Sequence, residues 1–118
     1  MHELGVAFHC IKEINKLAEE NGVEKINSVT IQLGEVSTVI PEYFEDVWKW
    51  AVKKETVLKD AALKIEIINA VTHCNGCGQD YPTVKYGRTC PHCSSPDTYL
   101  VTGNEFIIKE LEAVDTRA

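Results

Sequence analysis

Four of the five cysteines fall in two short knuckles, Cys74-Asn75-Gly76-Cys77-Gly78 and Cys90-Pro91-His92-Cys93, with 12 residues between the inner pair. Few patterns constrain a fold so tightly. Two thiolates three positions apart converge on one ion, and the turn behind them needs small or turn-prone residues, here Gly76, Gly78 and Pro91. Four sulfurs in a tetrahedron favour Zn²⁺ at about 2.3 Å, and the free energy of binding is also free energy of folding. The knuckle pattern is shared with rubredoxin-type iron sites, but the apolar shell expected around an electron-transfer iron is missing from this segment. Two CxxC pairs this close serve more naturally as ligands than as redox catalysts. A zinc closed off by four thiolates has no open coordination position, so its role is structural. His73 and His92 flank the ligands and read as solvated loop imidazoles, with ligand exchange as the sharper alternative.

Residues 71–100 carry three of the four prolines, three of the seven glycines and almost no apolar periodicity. Such a stretch cannot form a core unaided, so it is expected to be a zinc-ribbon-like module (71–100) inserted in a second domain made of 1–70 and 101–118. Lys85 and Arg88 balance Asp80 and Asp97, and four thiolates with one Zn²⁺ add negative charge. Together with a net charge of -6 over 118 residues, this argues against a nucleic-acid partner. No apolar run approaches the ~18 residues of a membrane span, and no basic-then-apolar leader opens the chain. An odd cysteine count dominated by CxxC pairs fits a reducing compartment, so a cytoplasmic location is expected.

Outside the module the periodicities are clearer. Leu4, Ala7, Phe8, Ile11, Ile14, Leu17 and Ala18 recur at helical spacing up to a stop at Asn21-Gly22, and Cys10 shares a row with Ala7 and Ile14 as a small buried hydrophobe. Val29, Ile31 and Leu33 alternate with polar residues up to Gly34 and predict a strand. Pro41 opens a second helix whose apolar row is Phe44, Val47, Trp48 and Ala51, with Trp50 off the row. Leu63, Ile65 and Ile67 predict a second strand, and Phe106–Leu111 a third with poorer alternation. The expected fold is α+β: two helices packed on a small three-stranded mixed sheet, plus the inserted four-cysteine module.

Met1-His2-Glu3 has two readings. Chain ends ordinarily fray. Alternatively, the free α-amine, the His2 backbone nitrogen and the His2 imidazole close fused chelate rings on one metal, with a backbone nitrogen or carboxylate of Glu3 completing the set. Nitrogen and oxygen donors in a square-planar array favour Ni²⁺ or Cu²⁺. No Ser/His/Asp set, phosphate loop or open-site metal motif is present, so no enzyme activity is expected.

The segments Met1 to Leu4, Ile31-Gln32-Leu33-Gly34-Glu35-Val36-Ser37, Pro41-Glu42, Leu63-Lys64-Ile65-Glu66, the two CxxC pairs and Gly103-Asn104-Glu105 occur in an order that resembles the HypA/HybF family of nickel-maturation metallochaperones across essentially the whole chain. The resemblance implies Ni(II) bound at Met1, His2 and Glu3 as cargo, and structural Zn(II) on Cys74, Cys77, Cys90 and Cys93. It also implies delivery to the [NiFe]-hydrogenase large subunit with a maturation GTPase of the same pathway, and in some relatives service to urease maturation proteins. A homodimer is left open. The alternative is a zinc-organised interaction adaptor of a metalloenzyme assembly complex, with no nickel site of its own.

Overall fold

The computed structural model describes residues 3–114 and divides into two compact units. One takes in residues up to 31, 38–66 and those from 107 onward; the other takes in 32–37 and 67–106. Element order is α1 (Glu3–Glu20), β1 (Ile26–Gly34), α2 (Pro41–Ala51) with a following 3₁₀ turn (Val52–Lys54), β2 (Ala62–Ile68), β3 (Val71–Cys74), β4 (Asp80–Pro82), α3 (Thr83–Tyr86), β5 (Thr98–Thr102) and β6 (Phe106–Ala113). The first sheet runs β2-β1-β6 and the second β4-β3-β5.

In the first unit α1 and α2 pack together. Ala7, Cys10, Ile11, Ile14 and Ala18 are the buried row of α1, whereas Leu4, Phe8 and Leu17, expected inside from their spacing, remain nearly half exposed. The buried row of α1 is narrower than its apolar arc. The helix ends as its sequence predicts. Gly22 takes a left-handed conformation (φ 65°), Val23 N–H reaches back to the Ala18 carbonyl at 2.8 Å, and Gly22 N–H reaches Glu19.

α2 starts on Pro41, and the amide of Ile40, just before it, donates to Glu3 Oε1 at 3.2 Å. Trp48 is buried and its indole N–H donates to the Ala61 carbonyl at 3.0 Å, which satisfies its one polar atom. Trp50 is exposed, edge-on to Phe8 and under the Lys54 ammonium. β1 is the central strand and is buried on both faces, Ser28 and Thr30 included. The ion pair of Lys109 with Glu66, at 2.9 Å, joins the strands on either side of it.

The second unit has a sheet of its own, which the sequence did not announce. β3 pairs antiparallel with β4 (Thr72 opposite Tyr81) and with β5 (His73 opposite Tyr99), with a bulge in the second pairing at Val71/Thr72. Strands of three to five residues are too short to display a period of two.

Two backbone crossings complete this unit. A Cβ on Gly34 would sit 2.0 Å from the Gly103 carbonyl oxygen, and one on Gly103 (φ 118°) would sit 2.5 Å from Ala70. The close approach is stitched by Gly34 N–H to the Glu105 carbonyl and Val36 N–H to the Gly103 carbonyl, both at 2.8 Å. Two carboxylates accept the remaining amides: Glu35 Oε1 from Ala70 and Glu105 Oε1 from Gly103, again at 2.8 Å.

Candidate metal centre

The four knuckle cysteines meet at one point, with all four Sγ atoms within 4.8 Å of one another. Cys74 and Cys93 lie 3.5 Å apart, and Cys77 and Cys90 3.6 Å apart. A tetrahedron with metal–sulfur bonds of about 2.3 Å has edges near ~3.8 Å, so these separations fit one ion of that size.

The two knuckles are built alike. Cys74 N–H donates to the Gln79 carbonyl and Gly78 N–H to the Cys74 carbonyl; Cys90 N–H donates to the Ser95 carbonyl and Ser94 N–H to the Cys90 carbonyl. The fifth residue of each turn is left-handed, Gly78 at φ 76° and Ser94 at φ 62°. Amides also point at the sulfurs: Gly76 and Cys77 at Cys74, Gln79 at Cys77, His92 at Cys90 and Ser95 at Cys93. Such donors stabilise negative charge, which is what a thiolate-ligated metal requires.

The thiols titrate as a crowded group. Chiefly through the Cys77 amide, and with the Gly76 amide and the Cys93 and Cys90 sulfurs adding, Cys74 is drawn from 9.0 down to about 7 against the effect of burial. At Cys93 the Ser95 amide pulls down, but the other three sulfurs and burial outweigh it and push the thiol up to about 12. Cys77 is likewise raised, its Gln79 amide outweighed by burial and by the Cys90 and Cys74 sulfurs. Four adjacent thiols do not all ionise without a cation among them. Protons leave as the ion enters.

The cluster is half sunk. Cys74 and Cys90 are buried against Tyr81, while Cys77 and Cys93 are exposed. Tyr81, which sequence inspection passed over, donates its hydroxyl to the Gly87 carbonyl at 2.9 Å and meets Tyr86 edge-on. It was missed because one aromatic in a polar loop carries no periodic signal.

The flanking histidines do not turn toward the sulfurs. His73 Nδ1 lies 2.6 Å from Asp80 Oδ1 with its ring against Tyr99, and His92 is exposed, contributing its amide to Cys90. Cys10 is buried in α1, where burial pushes its thiol up to about 12. Of the expected nickel ligands, Met1 and His2 lie outside the described residues. Glu3 is the first residue of α1, half-buried, with Oε1 on the Ile40 amide.

Comparison with known proteins gives consistent matches. A family model described as "Hydrogenase/urease nickel incorporation, metallochaperone" matches residues 1–113. A hydrogenase maturation factor HypA of Geobacter metallireducens is 31% identical over 112 residues, 95% of this chain and 98% of the relative. A protein of the same name from Aquifex aeolicus is 29% identical over 95% of this chain and 96% of its own. The solution structure of the Ni metallochaperone HypA from Helicobacter pylori superposes with a TM-score of 0.72 at 28% identity, covering 97% of this chain and 98% of that one. Among the described residues no helix is long and apolar enough to cross a membrane.

Proposed function

The chain belongs to the HypA family of hydrogenase/urease nickel-incorporation metallochaperones, and from that premise we propose that it carries one Ni(II) on its first residues and passes it to an enzyme-maturation complex. The family match, which includes Met1-His2-Glu3, carries this reading. The Met1 amine, the His2 backbone nitrogen and the His2 imidazole supply three nitrogen donors. Glu3 supplies the fourth through its backbone nitrogen or its carboxylate, whose Oε1 also accepts from the Ile40 amide. Deprotonated nitrogens favour Ni²⁺ and offset its charge beside the positive end of α1. The donors must lose protons to bind, so affinity falls as pH drops through the amine and imidazole ranges, near ~8 and ~6.5.

The resident ion is Zn(II) on Cys74, Cys77, Cys90 and Cys93; the sulfur separations and the amides aimed at the sulfurs support this. Zinc there pins the two knuckles together and neutralises part of the thiolate charge. Residues 71–100 act as the zinc module, and 1–70 with 101–118 as the nickel domain. The partners are a maturation GTPase of the pathway and the [NiFe]-hydrogenase large subunit, with urease maturation proteins as a second destination. The chain acts by binding and transfer rather than by catalysis.

The test is a nickel titration, read by metal analysis and absorption spectroscopy, on untagged protein beside a form with one extra N-terminal glycine. One equivalent should bind to the native terminus and be lost or spectrally altered in the extended form, with zinc retained in both. Equal nickel binding by both proteins would put the ion elsewhere. Absence of binding in both would favour the zinc-organised adaptor.

A further inference from the structure

The concavities of this chain differ in the charges on their walls. One of about 620 Å³ is lined by Glu45, Asp60, Lys49 and Lys53, and one of about 580 Å³ by Glu35, Asp80 and Lys85, so each presents both signs at once. A third, of about 490 Å³, lies wholly within the unit that bears the cysteine cluster, and its one charged lining residue is Arg88. The backbone of Arg88 is fixed, its carbonyl accepting from Thr98 Oγ1 at 2.7 Å. Its side chain is exposed, and among the described residues the guanidinium has no acceptor. Asp97, beside the lining residues Pro96 and Thr98, turns an oxygen to the Asn75 amide instead. A second donor stands on the same wall. Thr72 Oγ1 and Thr83 Oγ1 lie 2.6 Å apart. Each hydroxyl has one proton and a single proton fills the bond between them, so the pair keeps a second O–H for which the described residues supply no acceptor. Thr72 is buried, so that proton is best met by an acceptor entering the concavity. Val36, Pro96 and Leu100 make the rest of the lining largely apolar.

We propose that this concavity binds a small monocarboxylate with an apolar body. The carboxylate accepts two parallel N–H bonds from the planar fork of Arg88 and one O–H bond from the threonine pair, while the apolar body rests on Val36, Pro96 and Leu100. Charge limits the ligand to one negative group. In this unit Lys85 and Arg88 are outnumbered by Glu35, Asp80, Asp97 and Glu105, and four thiolates on one divalent ion add further negative charge. That surplus repels a polyanion such as phosphate, whereas a single guanidinium offsets a single carboxylate. Water screens an exposed guanidinium and a small ligand covers only part of the apolar wall, so the dissociation constant is expected near ~1 mM.

The test titrates the zinc-loaded full chain at neutral pH with sodium benzoate, with its neutral counterpart benzamide, and with inorganic phosphate, each followed by backbone amide chemical shifts. Benzoate should give saturating shifts centred on Thr83, Arg88 and Leu100 with a midpoint of about 1 mM, and neither benzamide nor phosphate should saturate over the same range. Arg88→Gln should weaken benzoate about tenfold, and Arg88→Lys, which keeps the charge but not the fork, about threefold. Arg88 is exposed, so both variants should keep their zinc and their circular dichroism. Shifts that stay linear in benzoate, or saturation by benzamide at the same midpoint, overturn the proposal on the wild-type protein alone. Benzoate affinity that Arg88→Gln leaves unchanged overturns it as well. Phosphate binding as tightly as benzoate would overturn the assignment to a monocarboxylate.

Discussion

Gly34 and Gly103 meet where no side-chain atom fits, and backbone atoms do not give way as a flexible side chain does. Gly34→Ala should lower stability by the upper end of the ~1–3 kcal/mol typical of overpacking, seen as a lower urea midpoint. Zinc content should be unchanged. The sequence marks Gly34 as the end of a strand, but the reason for glycine lies in a residue 69 positions away, which no local pattern reports. Cys10 is the opposite case. Its place on the inner row of α1 is legible from spacing, and the structure adds a pH dependence. The folded state holds the thiol proton up to about 12, whereas the unfolded thiol releases it near 9.0. Stability linked to this group is intact below pH 9.0 and is lost as pH rises from there toward 12. Denaturant curves of wild type and Cys10→Ala should therefore keep a constant offset below pH 9.0, and wild type should lose ground above it.

At the level of elements, amphipathic periodicity made α1, β1, α2, β2 and β6 readable, although β1 is buried on both faces and Ile67 of β2, expected inside, is half exposed. It overcounted α1, where Leu4, Phe8 and Leu17 stay near the surface. It was silent on β3, β4 and β5, whose own buried cluster is Cys74, Tyr81 and Cys90. A core of three residues does not hold a sheet by hydrophobic burial alone, so these strands should depend on the metal. A strong chelator is expected to collapse the exchange protection of β3 and β5 amides while the far-ultraviolet signal of α1 and α2 persists. Protection that survives complete metal removal would show the strands to be self-sufficient. Trp48→Phe probes the other unit. It strands the buried Ala61 carbonyl, at a cost of about 1–3 kcal/mol in a denaturant titration, without touching zinc.

For the molecule as a whole, two units with separate cores imply that unfolding is not a single event. Calorimetry of the metal-loaded protein should resolve two transitions, only one of which is lost when chelator is added. The convergence of the four knuckle cysteines was legible from spacing because four thiolates on one ion dictate it. The proposed nickel ligands were not: three residues at the start of the sequence carry no pattern, and only the family resemblance raised them above a frayed terminus. The placement of the two tryptophans has an optical corollary. Trp48, sealed and hydrogen-bonded, and Trp50, open to water beside Phe8, both belong to the helical unit. The unit with the cysteine cluster carries three tyrosines, Tyr81, Tyr86 and Tyr99, and no tryptophan. Indole emission is thus blind to that unit: a melt followed at tryptophan alone would trace one sigmoid and pass for two-state, while the unit with the cysteine cluster came apart unseen.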